Sequence, residues 1–244
     1  SFLIFIVKSM IKKAMILAAG FGKRIHPLTL KSPKPLLKIG NNTLLSNALK
    51  FLEKLGIKQV VINVHYLGEQ IADYIDQNKF DLTINIVKEK NKILDTGGGI
   101  LNAIQHFSNE AFLTINPDTI WNSHYLEEVK LMQKVFFENK KKCLLLVVNK
   151  EKSFDKSLKG DFSLKNHLIN RKSKDNLKYV YTGLQIIKPE VFSNINEQVF
   201  SINKIWDKLI VNNELYASES NINFLHVSTV DVYKNLLKKN LNVK

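Results

Sequence analysis

Read for its apolar and polar positions, the chain alternates two periods through its first 150 residues. AMILAA at 14–19 is an unbroken apolar run and predicts a buried strand. Over 43–56 the apolar residues fall at 44, 45, 48, 49, 52 and 55, one face of a helix, with Thr43 as N-cap and Gly56 as stop. Strand signals follow at 59–64, 82–89, 111–116 and 143–149, and helix signals at 68–78, 98–107 and 123–137. Alternation of this kind predicts βαβ units: an α/β fold with a Rossmann-like, mostly parallel sheet covered by helices on both faces. In such sheets ligands bind beyond the carboxyl ends of the strands, so the loops after each strand are where chemistry is expected.

Beyond residue 150 the alternation loosens. Strands are expected at 160–164, 178–188, 215–218 and 223–228, and helices at 201–212 and 230–240. With no repeat, low-complexity tract or Gly/Ser linker, this half reads as a smaller subregion laid on the main sheet. The expectation is a single domain over 10–244 preceded by an extension at 1–9, since Met10 offers a natural start.

Composition narrows the classes. The six-residue apolar run FLIFIV at 2–7 is far short of a membrane span and lacks the flanks of a signal peptide. The single cysteine, Cys143, excludes an internal disulfide and sits in an apolar strand run, so an inert buried thiol and a cytoplasmic setting are expected. Lys and Arg total 36 against 22 acidic residues, a net charge of +14. The lysines are scattered among abundant Asn and Ile, and no nucleic-acid-binding pattern occurs. The charge is therefore read as a genome-composition bias that leaves small anionic substrates as partners, without nucleic acid or membrane.

The candidate chemistry follows the first strand, in AMILAAGFGKRIHPLTLKSPKPLL at 14–37. A dinucleotide fingerprint would need a third glycine where Ile25 stands, and a P-loop would need wider spacing than Gly20 and Gly22 give. What remains is Leu17, Ala18, Ala19, Gly20, Gly22, Arg24, Pro27, Leu28 and Thr29, then Pro33, Lys34 and Pro35. Glycines admit backbone N–H groups to a polyphosphate, Arg24 can grip phosphate oxygens bidentately, and Lys34 offers a point charge fixed between prolines. LDTGGGI at 94–100 presents three glycines at a helix start, and INPDTIW at 115–121 sets Asp118 after the fourth strand.

In their order these segments resemble the sugar-1-phosphate nucleotidyltransferases, most closely their short N-acetylmuramate α-1-phosphate uridylyltransferase branch. The resemblance covers most of 12–236. It implies a nucleotide-binding core over 10–150, with sugar-binding and closing elements over 151–244. It implies Arg24 and Lys34 as catalytic residues. Ala18, Ala19, Gly20, Gly22, Lys23, Asp95, Thr96, Gly97 and Gly98 would contact the nucleotide, the glycines at 97–99 as a flat floor for the base. Asn116, Asp161, Thr182, Gly183 and Gln185 would contact the sugar. Asp118 is the expected Mg²⁺ ligand. His226, in FLHVST at 224–229, stands where the family often has a second metal-binding Asp, and Ser228 where it has Gly. His26 stands for a second Arg and Pro117 for a Gly, and no Glu-Lys-Pro sugar motif occurs. The implied reaction joins a nucleoside triphosphate to a sugar 1-phosphate and releases pyrophosphate, with UTP and N-acetylmuramate 1-phosphate as the leading pair. GTP with mannose 1-phosphate, and a catalytically silent nucleotide-sugar sensor, are the alternatives. A monomer or homodimer is expected.

Overall fold

The computed structural model describes residues 10–171, 177–239 and 241, so the expected extension at 1–9 lies outside the described residues. Among the described residues one nine-stranded sheet draws strands from both halves of the chain. Its strands are β1 (Lys13–Leu17), β4 (Gln59–Val64), β5 (Thr83–Lys88), β6 (Phe112–Ile115), β7 (Cys143–Asn149), β8 (Ser163–Lys165), β9 (Leu168–Asn170), β10 (Tyr179–Ile187) and β11 (Leu215–Ser220). They lie in the order β5-β4-β1-β6-β10-β7-β11-β9-β8; β2 (Lys38–Ile39) and β3 (Asn42–Thr43) form a separate two-stranded hairpin. β5, β4, β1 and β6 are mutually parallel, with Ile16 of β1 between Ile62 and Ile115. β10 enters antiparallel between β6 and β7, and β7 pairs parallel with β11.

The helices are α1 (Leu44–Leu55), α2 (Gly68–Gln77), α3 (Asp95–Ala103), α4 (Tyr125–Glu138), α5 (Asn203–Val211) and α6 (Val230–Lys238). α1 forms as its sequence requires. Thr43 accepts from the Ser46 N–H while the Ser46 hydroxyl accepts from the Thr43 N–H, and Gly56 closes the helix at φ 89°. Residues in β7 point alternately to opposite faces. Leu144 and Leu146 join α1 and α4 in one core, and Cys143, Leu145 and Val147 join Phe107, Ile205 and Trp206 in the other. Each such fully buried aliphatic or aromatic chain contributes about 1.5–3 kcal/mol. Burial pushes the Cys143 thiol up, out of the reactive range.

A third, smaller cluster fixes the loop after β1. Ile25, Leu37 and Ile39 pack with Tyr233 and Leu236 of α6, and the Tyr233 hydroxyl donates to the Lys38 carbonyl at 2.6 Å. The end of the described chain thus clamps the segment that carries the candidate chemistry.

Several boundaries differ from the sequence expectation. The helix expected at 98–107 begins at Asp95 and ends as a 3-10 turn over Ile104–Phe107. The strand expected at 160–164 is displaced to Ser163–Lys165, with β9 beside it unforeseen. The segment 223–228 makes bridges, Phe224 to Ser153 and His226 to Thr119, without becoming a full strand. No helix among the described residues is long and apolar enough to cross a membrane.

Candidate active site

Two clefts open at the carboxyl ends of β1 and β6, beside the amino-terminal half of the antiparallel β10, and meet at Leu17, Arg24, Asp95, Thr96, Asn116 and Asp118. The first, about 460 Å³, is walled by the loop from Ala18 to Ile25 together with Lys34 and Pro35. The second, about 390 Å³, is walled by Asp161, Tyr181, Thr182, Gly183, Gln185 and His226, among others.

The loop after β1 is shaped by its glycines for two different reasons. Gly22 has φ 63°, and a Cβ there would lie 2.9 Å from Thr29 Cγ2. The Thr29 hydroxyl in turn donates to the Gly22 carbonyl at 2.8 Å. Gly22 is therefore dictated by the loop's own folding. Gly20 is not: a Cβ there would meet no protein atom within 4 Å. Its bareness leaves the first cleft open at the spot where backbone N–H groups face a ligand. Arg24 follows in the 3-10 turn Lys23–Ile25, exposed and without a partner among the described residues, and Lys23 lies over the Phe21 ring at 5.3 Å.

Lys34 begins a 3-10 turn between Pro33 and Pro35, and its Nζ donates to Asp118 Oδ2 at 2.5 Å. His226 Nε2 donates to the same oxygen at 3.1 Å. Burial raises the Asp118 carboxyl, but the Lys34 ammonium and His226 together outweigh it and hold the acid well below the usual carboxylate range. Asp118 Oδ1 is buried and has no hydrogen-bond partner among the described residues. The pair expected as metal ligands, Asp118 and His226, is thus brought together, with the histidine nitrogen that faces the site engaged by the carboxylate.

The glycines expected as a floor, Gly97 and Gly98, are closely packed on their protein side. Neither lines the first cleft, which is met instead by Ile93, Asp95 and Thr96. A Cβ on Gly97 would collide with the Phe200 ring, and one on Gly98 with the Gln198 carbonyl. A Cβ on Gly99 would reach Asn63 Nδ2 at 2.7 Å. These glycines let α3 dock closely against the 198–202 segment, sealed by Gly98 N–H to Phe200 C=O at 3.0 Å. Asp95, at φ 62°, turns the chain into α3, and one of its own carboxylate oxygens accepts from the Thr96 N–H at 2.6 Å.

On the second cleft, Gly183 at φ 95° lies in the irregular register of β10 and lets Asn116 approach, its would-be Cβ 2.9 Å from Asn116 Cβ. Asp161 Oδ2 accepts from the Tyr181 N–H at 2.9 Å, and burial raises its carboxyl. Gln185 Oε1 accepts from Trp206 Nε1 at 2.9 Å, and its buried Nε2 has no partner among the described residues. Thr182 also lines this cleft, and its hydroxyl donates to the Leu146 carbonyl at 2.8 Å, which ties the side chain to the neighbouring strand.

Two positioning networks were not foreseen from sequence. Asn63 Oδ1 accepts from the Ala18 N–H at 2.9 Å, and its Nδ2 donates to Glu89 Oε1 at 2.8 Å. Glu89 Oε2 accepts from the Leu94 N–H at 2.7 Å. The end of β1 and the turn into α3 are thereby tied through one buried carboxylate. In the second network Asp155 accepts from the Ser228 hydroxyl at 2.5 Å and from Ser157, and so fixes the strand-like segment that carries His226. The unusual Ser228 has its explanation there.

Comparison with known proteins places the chain in a family. The nucleotidyl transferase family model matches residues 13–155, more than half of the chain. The chain belongs to that family. It is 28% identical to the N-acetylmuramate alpha-1-phosphate uridylyltransferase of Caulobacter vibrioides over 81% of its own length and 84% of that protein. It is 32% identical to the enzyme of the same name from Neisseria meningitidis serogroup B over 75% of its length and 78% of that protein. Its fold is shared with the inositol-1-phosphate CTP transferase of T. maritima, with TM-score 0.75, 18% identity and coverage of 96% and 98%. Within the family, it is a sugar-1-phosphate nucleotidyltransferase.

Proposed function

We propose that the chain makes UDP-N-acetylmuramate and pyrophosphate from UTP and N-acetylmuramate 1-phosphate. The observation that carries the chemistry is the junction of the two clefts at Arg24, Asp95, Asn116 and Asp118 with Lys34 on Asp118. A nucleotide in the first cleft and a sugar phosphate in the second would meet there. The choice of substrates is supported by the relatives from Caulobacter and Neisseria, named for that uridylyl transfer.

The nucleophile, a sugar phosphate oxygen, is already an anion, so no general base is needed. The barrier is lowered by positioning and by neutralising charge. The backbone from Ala18 to Gly22, with Lys23, cradles the triphosphate, and Arg24 holds the leaving pyrophosphate. Lys34 draws the two reacting phosphates together. Asp95 and Thr96 border the nucleotide, and Asn116, Asp161 and Gly183 border the sugar.

The donor set fits Mg²⁺. Among the described residues no cluster of three or more His, Cys, Asp or Glu exists, so the protein supplies few ligands of its own. Mg²⁺ commonly binds through one or two carboxylates plus substrate phosphates, and the unpartnered, ionised Oδ1 of Asp118 is such a hard oxygen. Bound there, the ion would neutralise charge on the α-phosphate and pyrophosphate oxygens. His226 orients the carboxylate through its hydrogen bond.

The test crosses four nucleoside triphosphates with N-acetylmuramate, N-acetylglucosamine, glucose and mannose 1-phosphates and follows pyrophosphate. The highest kcat/KM is expected for UTP with N-acetylmuramate 1-phosphate. A maximum at GTP with mannose 1-phosphate would replace this assignment.

A further inference from the structure

Two cations line the second cleft alone, and phosphoryl transfer at the junction does not call for either. Lys159 is exposed, and its ammonium has no partner among the described residues. Its backbone is nevertheless pinned. A Cβ on Gly160 would collide with the Leu177 carbonyl, and the Asp161 N–H donates to the Tyr179 carbonyl at 2.7 Å. Arg171 is held still: its guanidinium lies 4.7 Å from the Phe162 ring and 5.8 Å from the Trp206 ring. It donates to Asp207 at 2.9 Å and to Asn203 at 2.5 Å. Asp207 is exposed and does not line the cleft, whereas Arg171 does, and its charge also reaches the Asp161 carboxylate of the same wall. A neutral sugar would be served by the groups already present, Asp161, Asn203 and the unpartnered Gln185 Nε2. It would leave Lys159 with nothing to bind.

We infer that Lys159, which shares the lining of the second cleft with Arg171, binds a carboxylate borne by the sugar, so that this cleft selects acidic sugar 1-phosphates over neutral ones with the same ring. The inference rests on the substrate assignment above and adds the residues that enforce it. N-acetylmuramate is N-acetylglucosamine carrying a lactyl ether, and that lactyl carboxylate is ionised at neutral pH. An ammonium preset opposite it makes a charge-assisted hydrogen bond, and an analogue without the carboxylate forfeits that bond. Recognition of this kind is worth about tenfold in kcat/KM at a half-open site.

The experiment measures kcat/KM with UTP for N-acetylmuramate 1-phosphate and N-acetylglucosamine 1-phosphate, in the wild type and in Lys159→Gln and Lys159→Glu. Lys159 is exposed and makes no contact that the fold needs, so both variants keep the native thermal transition, which is measured alongside. The ratio of acidic to neutral substrate is expected to fall about tenfold in Lys159→Gln and further in Lys159→Glu. An unchanged ratio overturns the inference. An equal loss on both substrates also overturns it, because it assigns Lys159 to the phosphate that they share. In both cases a wild type that prefers the acidic sugar leaves the substrate assignment standing. A wild type that prefers the neutral sugar removes the assignment and the inference together.

Discussion

Replacing Glu89 with Gln removes one charge and changes almost nothing in shape, yet the structure makes it a severe change. The side chain is 4% exposed and makes no ion pair among the described residues. Its two oxygens accept from Asn63 Nδ2 at 2.8 Å and from the Leu94 N–H at 2.7 Å. A glutamine has one acceptor oxygen. Whichever way the amide turns, its NH₂ faces one of those donors, so one buried hydrogen bond is lost and a donor is left against a donor. An unsatisfied buried donor costs about 1–3 kcal/mol. Taking about 2 kcal/mol, a chain of this size loses roughly 4–8 °C in Tm. Glu89→Ala strands both donors and is expected to cost more. Function follows, because Asn63 also accepts from the Ala18 N–H and so aims the start of the nucleotide loop. The KM for the nucleoside triphosphate is expected to rise severalfold in Glu89→Gln. Calorimetry and steady-state kinetics check the two effects. A Glu89→Gln protein with wild-type Tm and KM would refute the network as a positioning device.

The glycines give a contrast: Gly20→Ala places its methyl in open cleft, so stability stays within about 0.5 kcal/mol while nucleotide affinity falls, whereas Gly97→Ala drives a methyl into Phe200 and destabilises by about 1–3 kcal/mol. Nucleotide titration and thermal melts of the two proteins separate these outcomes. Arg24→Ala is expected to lose at least about a hundredfold in turnover, roughly 2.7 kcal/mol, read from pyrophosphate release. Asp155 is buried, and its hydrogen bonds from Ser157 and Ser228 hold its carboxyl below the ordinary value against the opposing effect of burial. A depressed folded-state pKa gives stability that is present above the unfolded value near 3.9 and is lost as pH falls through the folded one. Asp155→Asn should therefore be less stable than the wild type at pH 7, and denaturant midpoints should converge below about pH 4.

How much of this was legible in the chain depends on whether the partners are neighbours in sequence. The loop from Ala18 to Lys34 was readable because its glycines, cations and prolines are contiguous and their order is itself informative. The capped helix α1 was readable for the same reason, since Thr43, Ser46 and Gly56 act locally. The parallel half of the sheet followed from period alone. Glu89 was not legible: its partner Asn63 comes from another strand, 26 residues away, and a buried acid looks like any surface acid in a string. Asp155 and Ser228, 73 residues apart, were hidden in the same way. The packing around the glycines at 97–99 was hidden because sequence shows that a Cβ is missing but not what would have met it. Only the fold reveals Phe200, Gln198 and Asn63 there.

The central claim is that nucleotidyl transfer occurs at Asp118, where Lys34 and the two clefts converge. Its most direct test is Mg²⁺-dependent pyrophosphate release from UTP and N-acetylmuramate 1-phosphate by the wild type and by Asp118→Asn, whose amide keeps the shape and removes the charge. The account predicts turnover by the wild type and a loss of at least about a hundredfold in Asp118→Asn, with UTP still bound in the first cleft. An Asp118→Asn protein that turns over like the wild type would contradict it.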